Sequence, residues 1–303
     1  MVFKTIHPEF AIVTAFLLMF FCIIIFIITR EYKMIEDLMA SQIVLKENRL
    51  REIVRGLGRV IIGYSGGVDS TLVAKIATEE LGENALVVIS DSPSLPRSEL
   101  KEALDLAKQH HFHTRIIHTQ EAEKEEYLSN PNNRCFYCKT ELYGDLEKIR
   151  IDEKYTAILD GANLDDLGDF RPGRKAAGEK GVKSVLIEAQ LNKKEVRELA
   201  KKLNLPNYDK PAAACLSSRF PYGTSITKQK LSQVELAEDF LKKLKLKNVR
   251  VRYHLDVARI EVDQDSYEII LENAQSIYSH FKSLGFKYTA LDIMGFRSGS
   301  MNE

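Results

Sequence analysis

Four short apolar runs in the middle of the chain limit the folds open to it. They are RVIIGY (59–64), ALVVIS (85–90), TRIIHT (114–119) and TAILDG (156–161), all rich in β-branched residues. Segments with helical spacing separate them, at about 69–81, 97–110 and 139–149, and a further helix is expected over 193–203. A strand that is apolar along its whole length is buried on both faces. Such strands, alternating with helices, belong in one parallel sheet covered on each side. The expected fold class is therefore α/β. After Thr224 the pattern changes: a helix over 228–244, alternating strands VRVRYH (249–254) and ARIEV (258–262), a helix over 265–284 and a strand over 288–293. The chain then divides into an α/β domain at 34–223 and a smaller α+β domain at 224–303. An amphipathic helix carrying Ile35, Leu38, Met39, Ile43, Leu50, Ile53 and Val54 opens the first of these.

Residues 1–33 stand apart. FAIVTAFLLMFFCIIIFIIT (10–29) carries no charge and has the length of one bilayer-spanning helix. Arg30 and Lys33 follow it, which favours the cytoplasmic side for everything downstream. Two other readings stay open: a buried helix, and a start placed too early, with Met34 opening a soluble cytoplasmic protein. Composition mainly excludes. Lys and Arg total 43 and Asp and Glu total 43, so no overall basic field points to nucleic acid. Four cysteines, Cys22, Cys135, Cys138 and Cys215, are too few for a disulfide scaffold.

The stretch YSGGVDS (64–70) joins the first strand to the first helix. At the carboxyl end of a parallel strand, a helix N-terminus offers free N–H groups and a positive dipole end to an anion. Gly66 and Gly67 leave room for close backbone approach, Ser65 and Ser70 add hydroxyls, and Asp69 can cap the helix or hold Mg2+. No G-K-[ST] is present, so this is not a Walker loop. The plain alternative is a glycine turn with a Ser/Asp cap. The stretch resembles the PP-loop of the N-type ATP pyrophosphatases, which implies ATP, adenylation of a substrate oxygen and release of pyrophosphate.

Further stretches narrow that resemblance: SPSLPRSELKEA (92–103), RCFYCK (134–139), GANLDDLGDFRPGRKAAGEKGVKS (161–184), KPAAACLSSRFPYG (210–223) and LDIMGFRSGSMN (291–302). Together they resemble LarE, the ATP-dependent sulfur transferases that build the nickel-pincer cofactor of lactate racemase. The likeness runs from about Met34 to the end and leaves out the apolar N-terminal stretch, which that family normally lacks. It implies a pyridinium dicarboxylate mononucleotide as substrate, adenylation of one carboxylate, sulfur attack to give a thiocarboxylate, and a homo-oligomer. It also matches Cys215 to the cysteine that gives up its own sulfur in the single-cysteine branch. Arg219, four residues on, is expected to stabilise the Cys215 thiolate. A lone cysteine in an Ala-rich stretch otherwise reads as buried and inert.

The single-cysteine chemistry has no use for Cys135 and Cys138. A C-x-x-C with one distant cysteine can hold three irons of a [4Fe–4S] cluster, leaving the fourth iron open to a transferable sulfide. The resemblance to three-cysteine sulfur-inserting enzymes implies that arrangement for Cys135, Cys138 and Cys215. Zn2+ stays open, completed by Cys215 and one of His110, His111, His113, His118 or His254. A redox pair stays open too, although that motif should open a helix and RCFYCK is expected in a polar loop.

The loop after the fourth strand carries Asp165, Asp166, Asp169, Arg171 and Arg174, either solvated or forming a lid over ATP or substrate. Arg250, Arg252 and His254 share one strand face, either an ordinary exposed face or a seat for the substrate phosphate, with Arg259 and Glu261 nearby. Two rival classes remain. One is a tRNA thiolase or other PP-loop ligase, against which the neutral charge and single C-x-x-C speak. The other is a membrane-tethered nucleotide-binding module without turnover.

Overall fold

The computed structural model describes Arg30, Lys33 and residues 41–168, 172–211, 214–246, 248–297 and 300–302. The apolar stretch 10–29, with Cys22, lies outside these residues, as do the loop residues Asp169 and Arg171. Among the described residues no helix is long and apolar enough to cross a membrane. The chain divides into two compact units, 1–49 and 50–303. In the first, residues 41–49 are helical. The second carries both sheets.

Strands β1 (Val60–Tyr64), β2 (Ala85–Ser90), β3 (His113–Ile117) and β4 (Ala157–Leu159) form one sheet in the order β3-β2-β1-β4. Every pairing in it is parallel, as the continuous apolar runs require. The edge strand β3 is the one with exposed residues, His113 and Ile116. Helices α1 (Val68–Leu81) and α2 (Arg97–Gln109) connect the first three strands. A short α3 (Glu125–Leu128) and a long α4 (Arg134–Asp152) lead back to β4, followed by α5 (Pro172–Glu179), α6 (Val185–Glu188) and α7 (Lys193–Lys202). The strand order reverses at β1, with β2 and β3 on one side and β4 on the other. A crevice for ligands therefore opens at the carboxyl ends of β1 and β4.

Beyond these lie α8 (Lys228–Lys242), β5 (Val249–His254), β6 (Val257–Val262), α9 (Tyr267–Glu272), α10 (Ala274–Ser283) and β7 (Tyr288–Leu291). The second sheet pairs β5 with β6 antiparallel and β6 with β7 parallel. The single helix expected over 265–284 is broken at Asn273. The Asn273 side-chain amide donates to the Ile269 carbonyl at 2.8 Å and competes with the helix ladder there.

Another expectation is corrected. The RCFYCK stretch is not a loop: α4 begins at Arg134, so Cys135 and Cys138 lie in its first turns. The polar lead-in is an anchor. Asn130 is fully buried, donates to the Pro221 carbonyl at 2.8 Å and accepts from Arg134 Nη1. Apolar packing also runs across residue 224. Ala122, Tyr127, Leu216 and Phe220 share one apolar core with Leu231, Val251, Ile260 and Phe281, and Cys138 packs against it. Each fully buried Leu, Ile or Phe there contributes roughly 1.5–3 kcal/mol, which ties the second sheet to the segments bearing the cysteines.

Candidate functional site

The loop from Ser65 to Ser70 sits at the carboxyl end of β1 and is braced from within. The Ser65 N–H reaches Ser70 Oγ at 3.2 Å, the two serine hydroxyls lie 3.1 Å apart, and Ser70 Oγ and Thr71 Oγ1 both donate to the Gly67 carbonyl. From outside, Asn207 Nδ2 holds the Gly66 carbonyl at 3.0 Å. Gly67 is the N-cap of α1, and no side chain caps it, so the helix end faces the crevice with its N–H groups unclaimed by a cap. Asp69 is therefore not the cap. Its Oδ1 accepts from Asn163 Nδ2 at 3.2 Å and its Oδ2 accepts from Lys193 Nζ.

Gly66 is demanded by the backbone. Its φ is +71°, and a Cβ there would stand 2.7 Å from Ala103 Cβ of α2. Gly67 meets neither constraint: its φ is −74°, and its Cβ would lie 3.4 Å from Ser65 Oγ. Gly66→Ala is expected to lower pyrophosphate release from ATP about 10²-fold, because the loop must shift relative to its ligand. A coupled pyrophosphate assay checks this. A comparable loss in Gly67→Ala would come from the ligand's own need for space.

The loop after β4 closes the other wall. A Cβ on Gly161 would come within 2.7 Å of the Ser70 nitrogen, so only glycine lets this loop lie against the start of α1. Asp165 does not point freely into the crevice as a lid: its Oδ2 accepts the Lys193 N–H at 3.1 Å, and its own N–H bonds Asn163 Oδ1. The Asn192 and Glu195 capping box starts α7 there and delivers Lys193 to Asp69. Lys193 was missed in the sequence, where it reads as one lysine among many; the capping box was its local signal.

The three cysteines come from two segments. Cys135 is exposed, and Cys138 and Cys215 are half-buried; all three are free thiols. Burial and then the Glu121 charge push the Cys138 thiol up to about 12, with Cys215 and Cys135 adding and Lys139 opposing. Among the described residues, no three Cys, His, Asp or Glu side chains stand together as a metal site. The histidines weighed as zinc ligands are scattered. His110, His111 and His113 lie at the amino end of β3, away from the loop; His118 is 3.6 Å from Asp91, and His254 closes β5.

Arg219 has a different task from the one expected. It is 2% exposed, pairs with Glu238 through Nε and Nη2 at 2.9 and 3.0 Å, and donates through Nη1 to the Ala214 and Cys215 carbonyls. It fixes the backbone of the cysteine turn instead of facing the thiol. Arg252 is also occupied: Glu261 takes its Nε and Nη2, Ser300 shares Nη2, and the Ser218 carbonyl takes Nη1. The first pair joins the Cys215 turn to α8 and the second joins β5 to β6, partnerships that alternation alone does not reveal. Arg250 is left as the cation of that face. It lies 5.3 Å over the Phe296 ring, and burial, then the Arg219 charge, hold it below the ordinary guanidinium range. An anion beside it would relieve that repulsion.

A family model described as NAD synthase matches residues 42–134. The chain is 42% identical over 85% of its length to an uncharacterized protein of Synechocystis sp., covering 97% of that protein. It is 38% identical, over the same share, to the pyridinium-3,5-bisthiocarboxylic acid mononucleotide synthase of Lactiplantibacillus plantarum, covering 94% of it. An uncharacterized protein of Methanocaldococcus jannaschii is 31% identical over 85% of the chain and is covered over 98% of its length.

Proposed function

The chain belongs to the LarE-type family of PP-loop sulfur transferases that includes the pyridinium-3,5-bisthiocarboxylic acid mononucleotide synthase, and on that premise we propose the reaction it carries out. ATP with Mg2+ adenylates a carboxylate of a pyridinium dicarboxylate mononucleotide with loss of pyrophosphate, and sulfur delivered at the cysteines attacks the acyl carbon and displaces AMP to give a thiocarboxylate. The observation that carries the reading is the uncapped helix start at the Ser65–Ser70 loop, in a chain whose Cys138 packs against the same core as Leu216, the neighbour of Cys215.

In this reading the N–H groups of Gly66, Gly67 and the start of α1 bind the nucleotide phosphates. Asp69 holds Mg2+, and Lys193, its present partner, turns to a phosphate oxygen. Asp165, Asp169 and Arg171 border the nucleotide. Arg250 takes the substrate phosphate, while Arg252 keeps its strand in place. Residues 34–223 supply the ATP site and 224–303 the phosphate seat. Residues 10–29 tether a homo-oligomer whose catalytic part is cytoplasmic, as Arg30 and Lys33 favour.

The donor set fits a [4Fe–4S] cluster in kind: three free thiols, whose protons a bound metal displaces. When bound, the cluster supplies an open iron that carries a transferable sulfide. The test is anaerobic purification with iron and sulfide analysis of the wild type and Cys138→Ala, together with pyrophosphate release. Iron and sulfide in the wild type, lost in the variant while pyrophosphate release persists, is the expected result. Zinc in place of iron removes the cluster, and no pyrophosphate with any pyridinium mononucleotide overturns the function.

A further inference from the structure

A set of buried polar side chains joins the segment after β2 to both cysteine-bearing segments, and no role described above uses them. Ser92, Ser94, Glu121, Tyr127 and Ser217 are each less than a tenth exposed. Ser92 Oγ donates to Glu121 Oε1 and lies 2.9 Å from Ser94 Oγ. The other Glu121 oxygen, Oε2, is buried without a hydrogen-bond partner, and the Glu121 charge acts on Cys138. The Ser94 carbonyl accepts the Leu216 N–H at 2.8 Å, directly after Cys215. Ser217, two residues beyond Cys215, shares a hydrogen bond between its Oγ and the Tyr127 hydroxyl.

Tyr127 is the side chain of this set that touches both cysteine-bearing segments: its hydroxyl bonds Ser217, beside the Cys215 turn. Its ring lies in the core that also holds Leu216 and against which Cys138 packs. It belongs to α3, which runs through Asn130 into the start of α4 and so into the C-x-x-C. A phenylalanine would fill the same core space. The hydroxyl is thus an addition to the packing, spent on the turn that carries Cys215.

We propose that Tyr127 is a positioning residue: its hydroxyl, through Ser217, ties the Cys215 turn to the segment that leads into Cys135 and Cys138, so that the thiols can serve one sulfur atom. The purpose rests on the sulfur-transfer reading; the geometry does not. The experiment uses the full chain without added metal. Dibromobimane joins only thiols a few ångströms apart, and the linked peptides are identified by mass. Wild type is expected to link Cys215 to Cys138 or Cys135, and Tyr127→Phe to do so at least about tenfold less. In the same variant, pyrophosphate release and the KM for ATP stay within about twofold while thiocarboxylate kcat falls at least about tenfold. Ser217→Ala, which leaves the ring untouched, gives the same losses, and the double variant is no worse than either single one. Tyr155→Phe, a buried tyrosine in the core of the first sheet, leaves the linkage at the wild-type yield. Unchanged linkage in both Tyr127→Phe and Ser217→Ala, or additive losses, overturns the proposal. Absence of thiocarboxylate in the wild type would instead overturn the sulfur-transfer reading, and the linkage yields would still decide the positioning.

Discussion

Cys215→Ser releases pyrophosphate at close to the wild-type rate and forms no thiocarboxylate: that is the result expected when adenylation and sulfur delivery are separate tasks of one site. The substitution leaves the turn intact, because the turn is held by backbone groups. Arg219 binds the Ala214 and Cys215 carbonyls, and Leu216 N–H binds Ser94. The phosphate loop lies in a different segment with its own bracing from Ser70, Thr71 and Asn207. A serine hydroxyl cannot carry sulfur, so thiocarboxylate formation drops by at least about 10³-fold, the scale of losing a reacting group. Mass spectrometry of the product and a coupled pyrophosphate assay read the two halves separately. Thiocarboxylate formation surviving in Cys215→Ser would sink the assignment. In Cys138→Ala, a single turnover that converts Cys215 to dehydroalanine would mean that Cys215 gives up its own sulfur, with no cluster.

Glu261→Ala is expected to cost about 3–5 kcal/mol of folding stability, a large part of the roughly 5–15 kcal/mol that a domain has. Glu261 is fully buried and receives Arg252 through Nε at 2.9 Å and Nη2 at 2.7 Å, Arg259 at 2.9 Å and Ser300 at 2.8 Å. Removing it strands the buried Arg252 cation, which is 5% exposed, and takes a partner from Arg259. Urea unfolding of the two proteins measures the difference. A variant as stable as wild type, with only substrate affinity weakened, would return Arg252 to the role of a phosphate ligand.

What could be read from the sequence was local. β2 follows ALVVIS residue for residue because a strand buried on both faces has no polar residue to blur its ends. The 65–70 loop announces itself because two glycines and two serines between a strand and a helix have few other uses. The start of α4 was hidden. Asn-Pro-Asn-Asn reads as loop, and its anchor is the Pro221 carbonyl, far along the chain. Lys193 with Asp69, Arg219 with Glu238 and Arg252 with Glu261 were hidden for the same reason. Periodicity says which face a side chain is on and nothing about which distant partner meets it there. That is why Arg219, expected beside the thiolate, and Arg252, expected on the substrate phosphate, are instead paired with Glu238 and Glu261.

The core that Leu216 and Phe220 share with the second sheet has a consequence for how such a protein can change. The turn bearing Cys215 is a seam: its backbone is stitched to the segment after β2, and its apolar side chains are sunk among those of α8, β5 and β6. A C-terminal half taken from another protein would bring the wrong side chains to the underside of that seam and unseat Cys215. The nucleotide-binding half and the half beyond it are thus committed to each other, and a new substrate has to be accommodated by changing single residues such as Arg250 in place.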